Sequence, residues 1–167
     1  MINIYDRGVV ILDFGSQYTQ LIARRVRELN VYSLILPPET SVDKILSLNP
    51  GALILSGGPS SIYDQDAPAF DQKILDVDLP ILGICYGLHL LTHYSGGKVS
   101  STGTGEYGFA NINIFETENL FKSIKSPAVW MSHGDQVTKV PKDWEVWAES
   151  SNGVIAAMMN KRKSLVA

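Results

Sequence analysis

Pro80-Ile81-Leu82-Gly83-Ile84-Cys85-Tyr86-Gly87 is the stretch from which the fold can be read. Ile81 to Ile84 is an apolar run too short for a helix and of the right length for a buried strand. Tyr86 to Ser95 then reads as a helix, closed by Gly96-Gly97. A strand turning directly into a helix is half of a βαβ unit, and the same alternation continues upstream. Gly8 to Asp13 is a compact β-branched run. Ser16 precedes a helical stretch in which Tyr18, Ile22, Val26 and Leu29 recur as one apolar stripe. Val31 to Leu36 is a second strand stopped by Pro37-Pro38, and Ser41 to Leu48 a short helix followed by the turn Asn49-Pro50-Gly51. Ala52 to Leu55 is a third strand ending in Ser56-Gly57-Gly58-Pro59, and Ala67 to Asp76 reads as helix. Beyond Gly103 short alternating runs, Ala110 to Phe115, Ala128 to Met131 and Val154 to Met158, suggest antiparallel strands. The fold class is therefore α/β, an open and mostly parallel sheet with helices on both faces. A small antiparallel sheet is added in the second half.

In such a sheet, chemistry sits in the loops at the carboxyl ends of the strands. Three loops stand out: Asp13-Phe14-Gly15-Ser16-Gln17, Ser56-Gly57-Gly58-Pro59, and Gly83-Ile84-Cys85-Tyr86-Gly87. The last has the Gly-x-nucleophile-x-Gly spacing of a nucleophile elbow, with cysteine at its centre. A lone cysteine is more often a structural core residue. Both glycines in register, with a helix following, turn the reading towards a nucleophile. The helix dipole at Cys85 favours a thiolate, and the Tyr86 N–H points to where an oxyanion would form. The Gly57-Gly58-Pro59 turn can supply a second donor, although alone it would pass as an ordinary Gly-Pro turn. Ser56 to Ser61 superficially matches a pyrophosphatase phosphate loop, but the Asp expected near Ser60 is absent, and no Walker-type motif occurs.

A cysteine nucleophile ordinarily works with a histidine. His89 lies one helical turn beyond Cys85 and is better placed to line a pocket than to take its proton. His93 reads as a packing or surface residue. His133, in Trp130-Met131-Ser132-His133-Gly134-Asp135, reads as part of a polar turn that equally well bonds its own backbone.

The 167 residues suit one domain, with a core that needs no disulfides. Seventeen acidic and 14 basic residues leave a net charge of −3, which gives no nucleic-acid footprint. The clusters Arg24, Arg25, Arg27 and Lys161-Arg162-Lys163 read as solvated faces. One cysteine excludes a disulfide framework and a cysteine-rich zinc site, and no metal site is expected. No apolar run approaches the ~18 residues of a membrane span, and Met1 to Arg7 lacks the design of a signal peptide. A cytoplasmic location is the expectation.

Taken together, Gly-Ile-Cys85-Tyr-Gly, the Ser-Gly-Gly-Pro turn and the strand pattern resemble the class I glutamine amidotransferases, a flavodoxin-like α/β family. Asp13 to Tyr18 running into Gln20 to Arg25, and Met131-Ser132-His133-Gly134-Asp135, resemble the N-terminal glutaminase domain of the GMP synthase branch. The resemblance implies that Cys85 attacks the side-chain amide of glutamine, releasing ammonia and leaving a thioester that water hydrolyses. It implies oxyanion donors at the backbone of Gly58 and Tyr86. It also implies glutamine contacts from Gly57, Gly58, Gly87, His89, Ser132, His133, Gly134 and Asp135. No cofactor is expected in this domain. Mg-ATP belongs to an ATP-pyrophosphatase (synthetase) domain that takes the ammonia to convert XMP to GMP, and the full-length protein is a possible homodimer.

Three departures accompany the resemblance. His89 stands where the family has Gln, and Gly105-Glu106-Tyr107-Gly108 where it has Arg-Glu-Tyr-Gly. The family's His-x-Glu belongs beyond the final strand, so residues 1–167 read as a glutaminase domain cut before it and without the synthetase domain. Two alternatives stay open: a non-catalytic glutaminase-like binding module, and a small cysteine hydrolase or chaperone on the same fold.

Overall fold

The computed structural model describes residues 7–115, 120–124, 128–160 and 164–167. The Lys161-Arg162-Lys163 run, and Met1 to Asp6 of the amino-terminal stretch, lie outside the described residues. The chain packs as two compact units, residues 1–91 with 163–165 and 167, and residues 92–162 with 166.

The first unit is built on parallel strands β1 (Val9–Leu12), β2 (Ser33–Leu36), β3 (Ala52–Leu55) and β4 (Ile81–Gly83). β1 lies between β2 and β3, and β4 flanks β3, so the order is β2-β1-β3-β4. This is the flavodoxin-type order, whose reversal beside β1 places the β1 and β3 loops at the point where such sheets bind ligands. Ile11, Ala23 and Ile54 are buried together, packed by Ile22, Val26, Ile35 and Leu82. Removing these branched side chains from water is the main stabilising term.

Helix α1 (Thr19–Glu28) ends where Asn30 takes a left-handed conformation, φ 61°. Asn30 N–H donates to the Arg27 carbonyl and Val31 N–H to that of Val26, closing a Schellman turn. Its buried residues are Thr19 and Ala23; Ile22 and Val26 are half-buried, while Tyr18 and Leu29 fall outside the helix and are exposed. The expected four-residue stripe is thus shorter and rotated. Helix α2 (Val42–Leu46) is capped by Ser41, whose Oγ accepts from Lys44 N–H. The helix expected over Ala67 to Asp76 is only a 3-10 segment, Gln72–Asp76. Pro68 cannot donate a helical hydrogen bond, and Asp71 caps the short turn by accepting from Lys73 N–H.

Helix α3 (Tyr86–Tyr94) follows β4 after two residues. It ends as the glycine pair foretells: Gly96 has φ 84°, its N–H donates to His93 O, and Gly97 N–H donates to Thr92 O.

The second unit is antiparallel: β5 (Lys98–Ile114), β6 (Ala128–Lys139), β7 (Trp144–Ser150) and β8 (Ile155–Asn160). β5 pairs with both β6 and β7, and β7 pairs with β8. Val166, in the short strand β9 (Leu165–Val166), pairs with Met159. Ile112, Trp147, Ala148 and Ala157 form its core. β7 lay unread in the sequence because Glu145 and Glu149 dilute its apolar pattern. The polar turn expected over Trp130 to Asp135 is instead the middle of β6: Tyr107, Glu106 and Ser101 of β5 pair with Ser132, His133 and Asp135. Partnering on β5 overrides the local turn preference of Ser, Gly and Asp.

Candidate active site

Cys85 is the meeting point of three loops of the first unit. It is exposed and has φ 52°, a left-handed conformation that costs a residue with a side chain about 1–2 kcal/mol. The reason for the strain lies on either side. A methyl on Gly83 would stand 2.6 Å from the Gly87 carbonyl oxygen and 2.8 Å from Leu91 Cδ1. One on Gly87 would overlap the Leu55 carbonyl oxygen. The strand can therefore reverse into α3 only with glycine at both places, and Cys85 is lifted to the top of the turn. Ile84 N–H donates to Leu55 O, and Gly87 N–H is shared between Ser56 O and Ile84 O, so the elbow is tied to β3. The Cys85 carbonyl accepts from His89 N–H at 3.1 Å, which puts Cys85 at the positive end of α3.

The β3 loop lies beside it. A methyl built on Gly57 would stand 3.4 Å from Cys85 Cβ and 3.5 Å from Ser16 Oγ; one on Gly58 would overlap the Phe14 carbonyl oxygen. Ser56, fully buried, joins the β1 and β3 loops: its Oγ accepts from Phe14 N–H at 3.0 Å and donates to Gly57 O at 2.9 Å. Asp13 shapes the β1 loop by accepting from Gly15 N–H and Thr19 Oγ1. Phe14 packs on Tyr86, ring centroids 5.1 Å apart, and Tyr86 is 1% exposed. His89 is also buried.

Of the residues singled out in the sequence, Gly57, Gly58, Cys85, Tyr86, Gly87 and His89 thus belong to the first unit, with Gly57 against the cysteine. Ser132, His133, Gly134 and Asp135 belong to the second unit, in β6. There His133 Nδ1 donates to the Asp135 carbonyl at 2.9 Å, and its Nε2 lies 3.5 Å from Glu106 Oε2. Sequence reading assigned no role to Ser16, Ser56 or Phe14. Their signal was the unusual Asp13 to Gln17 loop, but which atoms of it meet the β3 loop is a tertiary matter. Glu106 was seen only as part of a departing motif. Among the described residues no cluster of three or more His, Cys, Asp or Glu could hold a metal, and no helix is long and apolar enough to cross a membrane. An apolar cleft lined by Gly8, Val10, Tyr32 and Pro50 lies at the opposite, amino-terminal end of β1 and has no part in this arrangement.

Chemically, the elbow presents an exposed cysteine at the positive end of a helix, a placement suited to nucleophilic attack through a covalent intermediate. Comparison with known proteins agrees. The family model for glutamine amidotransferase class-I matches residues 10–167. The GMP synthase [glutamine-hydrolyzing] of Brachyspira hyodysenteriae is 52% identical over all of this chain and 32% of its own length. That of Bacillus subtilis is 46% identical over 98% of the chain and 32% of its length. The chain thus spans about a third of the curated relatives it matches. Among solved structures, a GMP synthase-type protein from Thermoplasma acidophilum superposes with a TM-score of 0.81. It is 27% identical, over 96% of this chain and 81% of that one. A Thermotoga maritima glutamine amidotransferase shares the fold, with a TM-score of 0.72 at 19% identity over 97% of this chain and 74% of that one. The chain belongs to the class I glutamine amidotransferase family.

Proposed function

We propose that this chain is the glutaminase part of a GMP synthase. The single observation that carries the reading is the elbow: an exposed Cys85 held at positive φ between two obligatory glycines, at the start of α3 and against Gly57. The names of the relatives support the substrate and the destination of the ammonia.

In this reading the Cys85 thiolate attacks the side-chain carbonyl carbon of glutamine. The carbonyl oxygen takes up the negative charge and is held by the N–H groups of Gly58 and Tyr86, each worth ~2.7–4 kcal/mol in the transition state. Collapse expels the amide nitrogen, which gains a proton and leaves as ammonia. Water then cleaves the thioester, giving glutamate and restoring the thiol. His-x-Glu does not occur within residues 1–167, and no step is assigned to one. Gly57, Gly87 and His89 line the glutamine side. Ammonia passes to an ATP-pyrophosphatase domain that uses Mg-ATP to activate XMP. A homodimer and a cytoplasmic location complete the proposal.

The test is intact-mass spectrometry of the protein with and without an electrophilic glutamine analogue. One adduct is expected, suppressed by glutamine and lost in Cys85→Ala. No adduct overturns the reading in favour of a non-catalytic binding module. An adduct indifferent to glutamine overturns it in favour of a cysteine hydrolase on the same fold.

A further inference from the structure

Ser56 has no part in the reaction above, yet it is completely buried and all of its polar groups are engaged. Its N–H donates to Leu12 O, at the end of β1, at 3.1 Å. Its carbonyl accepts from Gly87 N–H of the elbow at 3.2 Å. Its Oγ takes the Phe14 N–H at 3.0 Å and lies 2.9 Å from Gly57 O. The direction of that last bond is forced. An N–H only donates and a carbonyl oxygen only accepts, so the single hydroxyl proton goes to Gly57 O. Backbone bonds to β1 and to the elbow hold Ser56 itself in place, and burial makes either hydroxyl bond costly to lose.

Through that proton Ser56 orients the next peptide plane. No cis peptide occurs among the described residues, and a trans peptide carries its carbonyl and its N–H on opposite edges. Holding Gly57 O on the Ser56 hydroxyl therefore turns the Gly58 N–H away from Ser56. Two successive glycines leave this plane free to rotate, so a tether from outside is what selects one orientation. Gly58 is half-buried, and its N–H donates to no described residue. Gly57, at the other end of the plane, lies against Cys85. We propose that Ser56 is a positioning residue. By holding the Gly57 carbonyl, its hydroxyl presents the Gly58 N–H to the oxyanion formed when Cys85 attacks a γ-glutamyl carbonyl. This rests on reading the chain as a glutaminase with Gly58 as an oxyanion donor.

The test follows acylation of Cys85 by a γ-glutamyl thioester, read by intact-mass spectrometry. The sulfur bonds to the γ-carbonyl carbon, the oxygen takes the charge, and collapse expels a small thiolate that needs no proton to leave. Alkylation by iodoacetamide, which displaces iodide at a saturated carbon and forms no oxyanion, is the control. Ser56→Ala is expected to lower the limiting acylation rate about tenfold, short of the roughly 10²–10³-fold that outright loss of an oxyanion donor costs. Half-saturation and the iodoacetamide rate should stay within about twofold of wild type, because the tethered N–H acts on the transition state. Ser56→Thr, which keeps the hydroxyl, is expected to recover the acylation rate to within about threefold. Should Ser56→Ala fail to fold, proton NMR of wild type carries the test. With a glutamate γ-aldehyde bound to Cys85 as its tetrahedral adduct, the Gly58 amide proton should move downfield while the Ser56 hydroxyl proton stays observable. A Gly58 amide that does not move, or a hydroxyl proton lost to exchange, overturns the proposal. So does an unchanged limiting rate in folded Ser56→Ala, or a parallel fall in the iodoacetamide rate, which marks general loosening. No acylation of wild type overturns the glutaminase reading itself, and with it this proposal.

Discussion

Gly57 lies against Cys85: a β-carbon at residue 57 would sit 3.4 Å from that of the cysteine, an ordinary van der Waals distance. Its neighbour Gly58 has no such room, since a β-carbon there would overlap the Phe14 carbonyl oxygen. Adjacent glycines in one turn therefore answer to different demands. Gly57→Ala should keep its stability within about 0.5–1 kcal/mol of wild type, yet slow alkylation of Cys85 several-fold by covering the sulfur. Gly58→Ala should destabilise by about 1–3 kcal/mol, because backbone must shift. Urea unfolding and thiol-labelling rates on both variants check the contrast.

Cys85 holds a conformation that suits glycine better. Relief of about 1–2 kcal/mol of strain, offset by the greater freedom of glycine in the unfolded chain, leaves Cys85→Gly about 0.5–1 kcal/mol more stable than wild type. The melting temperature should rise by ~2 °C while analogue labelling disappears. A fall in melting temperature would show that the turn is relaxed rather than strained.

Gly105, in β5, is held to glycine by its packing. A β-carbon there would lie 2.5 Å from the His133 carbonyl oxygen and 2.6 Å from the Tyr107 ring. Gly105→Ala should cost about 1–3 kcal/mol and disturb the pairing of Glu106 with His133, visible as lost amide protection at residues 106 and 133 in hydrogen exchange.

Asp71 gives the first unit a pH dependence. Its Oδ2 accepts from Val42 N–H at 2.9 Å, holding the start of α2, and its Oδ1 accepts from Lys73 N–H. The Val42 bond is the main cause that holds its carboxyl below the usual aspartate range; burial opposes the shift, and the Lys73 amide and charge assist it. The depressed value in the folded state means that its stabilisation is present above the unfolded-state value and is lost as pH falls through the folded one. Wild type should lose urea resistance over that acidic window more steeply than Asp71→Asn, with the two curves parallel near neutrality. Identical slopes would remove Asp71 from the balance.

Much of the first unit was legible because its signals are local. β3 appears where the run Ala52 to Leu55 lies, and α3 stops where Gly96 permits the left-handed turn. The spacing of the elbow was legible too, although only Gly83 is crowded from within it, by the Gly87 carbonyl; the clash that excludes a side chain at Gly87 comes from Leu55 of β3. Where sequence reading failed, distant partners decided. Ala67 to Asp76 has helical composition, yet Asp71 spends its carboxylate on Val42 and Lys73 and only a 3-10 turn forms. Trp130 to Asp135 looks like a turn and is a strand, because β5 supplies a ladder that no window around residue 133 reveals.

The sequence by itself thus determined the four strands of the parallel core and the helix that follows β4, since hydrophobic periodicity and turn chemistry act over a few residues. Only the tertiary structure decided that Ser56 ties the β1 and β3 loops together, that Gly57 lies against Cys85, and that the Glu106 carboxylate lies beside His133. Those relationships join residues 42, 28 and 27 positions apart in the chain. Hydrogen bonding and close packing at such separations depend on where the folded backbone passes, which no local pattern encodes.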